Sequence, residues 1–159
     1  MTIGQLVLTL ILSLGVPTIV YFVLPQLISV RSNAYRPVLA LAGLLFLVSW
    51  YLPSPLVNGE QTHFMTHFVG GGLFTATLGA YILLATKRTT RYAWYYEAAM
   101  LYALVSALGV ANELFEVMLY RVGLMPAGIS DTSWDLVANT LGAALGFVLY
   151  KSAMRLWSR

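Results

Sequence analysis

The chain contains no cysteine, which excludes disulfides, thiolate metal ligands and thiol catalysis. Charge is scarce as well: charged residues make up 9% of the sequence, against about a quarter in an ordinary soluble chain. Nine Lys and Arg with six Asp and Glu are too few to coat a water-facing surface. This scarcity excludes a soluble enzyme, a disordered tail and a nucleic-acid binder. The alternating segments of about ten residues that build an outer-membrane barrel are missing too. What is present is apolar: 59% of the 159 residues are hydrophobic and the mean hydropathy is +0.77. The composition is that of an integral membrane protein.

A bilayer-spanning helix requires about 20 mostly apolar residues. Five runs answer to this, at about 3–28, 37–52, 64–86, 94–120 and 134–156. Pro17 and Pro25 interrupt the first, and Pro53 and Pro55 stop the second, which is the shortest. The first run lacks a basic leader, its first Lys or Arg being Arg31, and no small-x-small site follows it, so it is expected to be retained. No repeat, low-complexity tract or linker divides the chain. The expected fold is an all-α, five-transmembrane-helix bundle forming one domain.

Basic residues orient such a bundle. Arg31, Arg36, Lys87, Arg88, Arg91, Lys151, Arg155 and Arg159 fall in alternate loops and the tail, and Arg121 alone falls on the other side. Eight of nine on one side predict an N-terminus outside and a C-terminus in the cytoplasm of a cell membrane. Trp50, Tyr51, Tyr120 and Trp134 then form the outer aromatic belt, and Tyr92, Trp94, Tyr95, Tyr150 and Trp157 the inner one.

The acids play no part in that rule, so their positions are independent information. Glu97 alone lies at the inner end, whereas Glu60, Glu113, Glu116, Asp131 and Asp135 gather at the outer end with His63 and His67. Ionisable groups at membrane depth are costly unless paired or functional. Their spacing is helical: His63 and His67 share one face of the third helix, Glu113 and Glu116 of the fourth, and Asp131, Asp135 and Asn139 of the fifth. Gly70, Gly71 and Gly72, and Gly142 and Gly146, sit deeper on the third and fifth helices, where small residues let helices approach. A polar pocket among the last three helices, opening outward, is the expected site. Simpler roles stand beside this one: His63 in the headgroup region, Asp131 as a helix cap, Asp135 paired with Arg121, and Glu116 reaching to water.

Imidazoles and carboxylates in this combination suit Zn²⁺, Mn²⁺ or Fe²⁺. His63, His67, Asp131, Asp135 and Asn139 are the candidate ligands, with Glu113 and Glu116 as catalytic acid–base groups and Arg121 to hold a lipid phosphate. A site of that kind serves hydrolysis or transfer on a lipid or lipid-linked envelope substrate, with membrane lipids as its surroundings. The His-x-x-x-His pair lacks the Glu of the zinc-protease motif. Without metal, the same groups make a proton- or cation-binding cluster, or a non-catalytic module for an envelope lipid, ion or partner protein.

Three stretches resemble a known group. Asp131-Thr132-Ser133-Trp134-Asp135-Leu136, followed by Asn139-Thr140-Leu141-Gly142-Ala143, is similar to the last-helix signature of the VanZ-like and YjdF-like small membrane proteins. His67-Phe68 with its glycines resembles their His-Phe-x-x-Gly helix, and Glu113-x-x-Glu116 their Glu-x-x-Gln/Glu helix. The resemblance covers about residues 60–150. It implies a bacterial cell-membrane protein of about four to six helices with these polar groups at one end, in a family linked to glycopeptide (teicoplanin) resistance. Many relatives carry Asp where this chain has His63, an exchange that keeps the capacity to bind metal or protons.

Overall fold

The computed structural model of the protein describes residues 3–28, 35–57, 60–86, 93–124 and 132–157. Helix α1 spans Ile3–Leu27 and α2 spans Arg36–Ser49. A minimal antiparallel ladder, Leu56–Val57 against Glu60–Gln61, follows. One turn of helix, α3 (Phe64–Thr66), then runs into a π-helical segment, His67–Leu73, and on into α4 (Phe74–Thr86). Helices α5 (Trp94–Arg121) and α6 (Thr132–Trp157) complete the bundle.

Four spans are long and apolar enough to cross a bilayer: Leu6–Leu27, Phe64–Thr86, Trp94–Arg121 and Thr132–Leu156. The fifth does not reach that length, which corrects the expectation of five full crossings. Helix α2 has 14 residues, a rise of about 21 Å, against about 30 Å of hydrocarbon. It nevertheless runs antiparallel to α4, because Leu39 shares a core with Tyr81, the Phe46 ring lies 5.1 Å from that of Phe74, and Ser49 abuts Gly70. Pro37 sets the start of α2 in its first turn.

The helix containing the π segment is the centre of the molecule. Its spanning window is 56% buried, whereas those of α1, α5 and α6 are 6%, 17% and 22% buried. One core, Leu39, Ala42, Phe74, Leu78 and Tyr81, joins α2 to α4, with Val16, Val20 and Tyr21 of α1 packed against it. The other, Ala76, Leu101, Val105 and Ala143, joins α4 to α5 and α6. The wide outward faces of α1, α5 and α6 carry Leu14, Leu114 and Val148, each more than half exposed, as lipid-facing surfaces do.

Two local features fix the helix ends that matter below. The chain leaves α5 through a left-handed Gly123 (φ 74°), whose N–H donates to Tyr120 O while Leu124 N–H donates to Leu119 O. This is the Schellman arrangement, in which glycine is the residue without a steric penalty. Ahead of α3, Met65 N–H donates to Ser54 Oγ at 3.0 Å and Thr62 Oγ1 donates to Pro55 O at 2.9 Å, tying the preceding loop to the helix start.

A candidate cation site on three helices

The π segment sets the site's position. It begins at His67 and holds Gly70, Gly71 and Gly72, and its wider turn is packed directly on α6. The approach is so close that a Cβ on Gly142 would strike Phe68 O and stand 3.0 Å from the Gly72 Cα. A Cβ on Gly72 would meet the Gly142 Cα at 2.7 Å. Glycine is obligatory at both, since the obstacle is backbone and cannot turn aside.

That contact brings His67, Glu113 and Asp135 together. One ligating atom from each lies within 4.8 Å of the others. A shared ion at about 2.1 Å from each donor tolerates a donor separation of roughly 4.2 Å. The residual gap is therefore a small side-chain rotation. His67 Nε2 stands 3.4 Å from Asp135 Oδ1, an ion-pair approach without the alignment of a hydrogen bond. The His67 side chain is 12% exposed and that of Asp135 2%. Glu113 is half-buried, and its Oε1 is buried with no hydrogen-bond partner among the described residues.

One helical turn deeper, each member of this trio has a successor in sequence: Gly71 after His67, Gly109 before Glu113, and Asn139 after Asp135. The two glycines leave a slot, and Asn139 fills it. A Cβ on Gly71 would overlap Asn139 Oδ1, and one on Gly109 would lie 3.4 Å from Asn139 Nδ2. Asn139 is 4% exposed, and its Oδ1 has no hydrogen-bond partner among the described residues. A buried amide oxygen left this way is a rarity that calls for a bound donor or ion.

The remaining expected residues lie around this core. His63 is exposed at the head of α3, outside the trio. Glu116 accepts a hydrogen bond from Asn112 Nδ2 at 2.7 Å on the flank of α5. Arg121 is exposed at the end of α5, and Asp135 has His67 as its ion-pair partner. Asp131 lies outside the described residues.

Two features went unseen in the sequence. The π segment has no periodic signature, its only trace being three consecutive glycines that begin three residues after a histidine. The second is at the opposite end of the bundle, where Lys151 Nζ lies 2.7 Å from Glu97 Oε2 and Glu97 is 1% exposed. Glu97 therefore does not stand alone at that end; it clamps the start of α5 to the end of α6. A shallow apolar groove along Leu10, Leu14 and Thr18 on α1 offers no ionisable group. Comparison with family models, curated proteins and solved structures finds no match.

Proposed function

We propose that the protein is a metal-assisted membrane hydrolase or transferase acting on a lipid or lipid-linked cell-envelope substrate. The observation that carries this reading is the meeting of His67 Nε2, Asp135 Oδ1 and a Glu113 carboxylate oxygen at membrane depth. A neutral imidazole nitrogen and two carboxylates are all lone-pair donors, so a proton or a cation must lie between them. One imidazole and two carboxylates suit Zn²⁺, Mn²⁺ or Fe²⁺ and leave coordination positions open. Such an ion supplies Lewis acidity and an acidified water at neutral pH.

The protein's own residues do the rest. Asp135 holds the His67 ring in place, and Asn139, one turn below, fills the slot between Gly71 and Gly109 and closes the floor of the cluster. In this reading Glu113 is a ligand rather than a free acid. The cluster in this reading belongs to the outer face, which the charge bias supports: of the described cations, Arg36, Lys151 and Arg155 lie at the start of α2 and the end of α6, against Arg121 alone at the cluster's end. The likeness of Asp131 to Ala143 to the VanZ-like signature supports a bacterial envelope setting. A non-catalytic binding module remains the second reading, favoured by the His67–Asp135 pair, which satisfies part of the site internally.

Metal content after chelator-free purification tests the proposal. Wild type should carry a stoichiometric divalent ion, and His67→Ala and Asp135→Asn should lose it while still inserting. Wild-type protein without an ion, and without thermal stabilisation by Zn²⁺, Mn²⁺ or Fe²⁺, would leave only the binding module.

A further inference from the structure

At the end of the bundle away from the cluster, α2 begins inside the ends of its neighbours. Arg36 opens α2, and its guanidinium carbon lies 5.3 Å from the centroid of the Tyr21 ring of α1. Tyr21 stands six residues before the end of α1 at Leu27, a rise of about 9 Å. Tyr81, whose hydroxyl feels the same guanidinium charge, stands five residues before the end of α4 at Thr86, a rise of about 7.5 Å. The short α2 thus draws a half-buried cation into a recess between α1 and α4. A cation at that depth, stacked on an aromatic face, marks a functional place more often than a solvated surface does.

Tyr81 supplies a second and independent observation. It is 1% exposed and packed with Leu39 and Leu78, yet its hydroxyl makes no hydrogen bond among the described residues. A tyrosine hydroxyl in a core ordinarily finds a partner. The start of α2 adds to this. No side chain caps it, and Pro37 has no N–H, so the first-turn donors are those of Arg36 and Val38.

The chemistry of the lining selects the ligand. A guanidinium with five N–H groups in a planar fork, a hydroxyl and a helix start all donate. The guanidinium has donors enough to serve a ligand beside any other partner. The group that fits is therefore a multivalent acceptor carrying negative charge. Charge at this end agrees: among the described residues Glu97 is the one acid there, against Arg36, Lys151 and Arg155, and Lys151 holds it at 2.7 Å. An ammonium finds no carboxylate ready for it in the recess.

We propose that this recess binds a phosphate group, whose oxygens are taken by the Arg36 guanidinium, the Tyr81 hydroxyl and the first turn of α2. Basic recesses between spanning helices near the bilayer surface suit anionic lipid headgroups, and a soluble phosphate offers the same oxygens. The site lies at the opposite end from His67, Glu113 and Asp135 and does not depend on the metal reading.

Binding of phosphatidylglycerol and phosphatidylcholine to the full-length detergent-solubilised protein tests this, with inorganic phosphate as a competitor. The phosphate of phosphatidylcholine is accompanied by its own cation. Wild type should bind phosphatidylglycerol about tenfold more tightly than phosphatidylcholine, the size of one charge-assisted hydrogen bond. Arg36→Gln should erase the preference. Tyr81→Phe keeps the charge and nearly the volume, and should reduce the preference about threefold, the size of one neutral hydrogen bond. Arg155→Gln removes equal charge at the same end and should leave the preference intact. The last two variants decide the matter even where Arg36→Gln fails to fold. Competition by inorganic phosphate shows that the phosphate alone suffices, and its failure to compete shows that the lipid supplies it; both outcomes keep the site. Equal binding of the two lipids in wild type without competition by phosphate overturns the proposal. So does a preference unchanged in Tyr81→Phe, or one lost as fully in Arg155→Gln as in Arg36→Gln, since overall charge then accounts for the binding.

Discussion

His67 Nε2 and Asp135 Oδ1 face each other at 3.4 Å across the contact between the π segment and α6. The two residues are 68 positions apart in the chain and meet where Gly72 and Gly142, deeper along the same two helices, let the backbones touch. Packing and chemistry are thus one arrangement here. The glycines that close the helices also bring His67 and Asp135 face to face.

In protein stripped with a chelator, His67→Ala should destabilise by about 2–4 kcal/mol, because it leaves the Asp135 carboxylate buried without its ion-pair partner. His63→Ala, at an exposed position, should cost less than about 0.5 kcal/mol. Thermal unfolding in detergent compares the two. Equal losses would show that burial of Asp135 does not depend on His67.

Glycine replacements should rank by what their new methyl meets. Gly142→Ala strikes backbone at Phe68 and Gly72, whereas Gly71→Ala strikes the Asn139 side chain. The first should be worse, and the second should cost about 1–3 kcal/mol, as overpacking does. Gly15→Ala has nothing within 4 Å and should be neutral, or stabilising by up to about 1 kcal/mol through helix propensity. Unfolding midpoints of the three variants check the order. A Gly15 variant less stable than the Gly142 one would contradict the packing described.

The Glu97–Lys151 pair should show coupling in a double-mutant cycle. Lys151→Met leaves a carboxylate that is 1% exposed without its cation. The lysine side chain is 29% exposed, so the loss should be moderate, about 1–3 kcal/mol. Adding Glu97→Gln should recover part of it. Strictly additive effects would mean that the two groups do not hold α5 to α6.

Topology can be read by labelling, because the chain has no cysteine of its own. Single cysteines at Val122, at the exposed end of α5, and at Leu156, near the end of α6, are 63% and 74% exposed in the native residues. An impermeant maleimide added to intact cells should label Val122→Cys and spare Leu156→Cys. The reverse pattern would place the cluster on the cytoplasmic side and remove the outward substrate from consideration.

The polar stripes on the last three helices were legible because helical spacing puts His67, Glu113, Asp135 and Asn139 at one end whatever the packing. That His67, Glu113 and Asp135 share one pocket was legible as well, and one ligating atom of each lies within 4.8 Å of the others. His63, which reads equally as a headgroup residue, is exposed at the head of α3, whereas His67, a turn deeper, is turned inward where the π segment begins.

The sequence by itself determined that this chain builds helices long and apolar enough to cross a membrane, because transfer of long apolar runs into lipid depends on composition and hardly on context. It also determined that acids and histidines collect at one end, since spacing along a helix is fixed by its rise. Tertiary structure decided the rest. It made the helix through the π segment central, and set how closely His67, Glu113 and Asp135 approach. Those outcomes depend on how closely backbones approach. That distance is set by which glycines face one another across an interface, a pairing between segments far apart in the chain that no local pattern encodes.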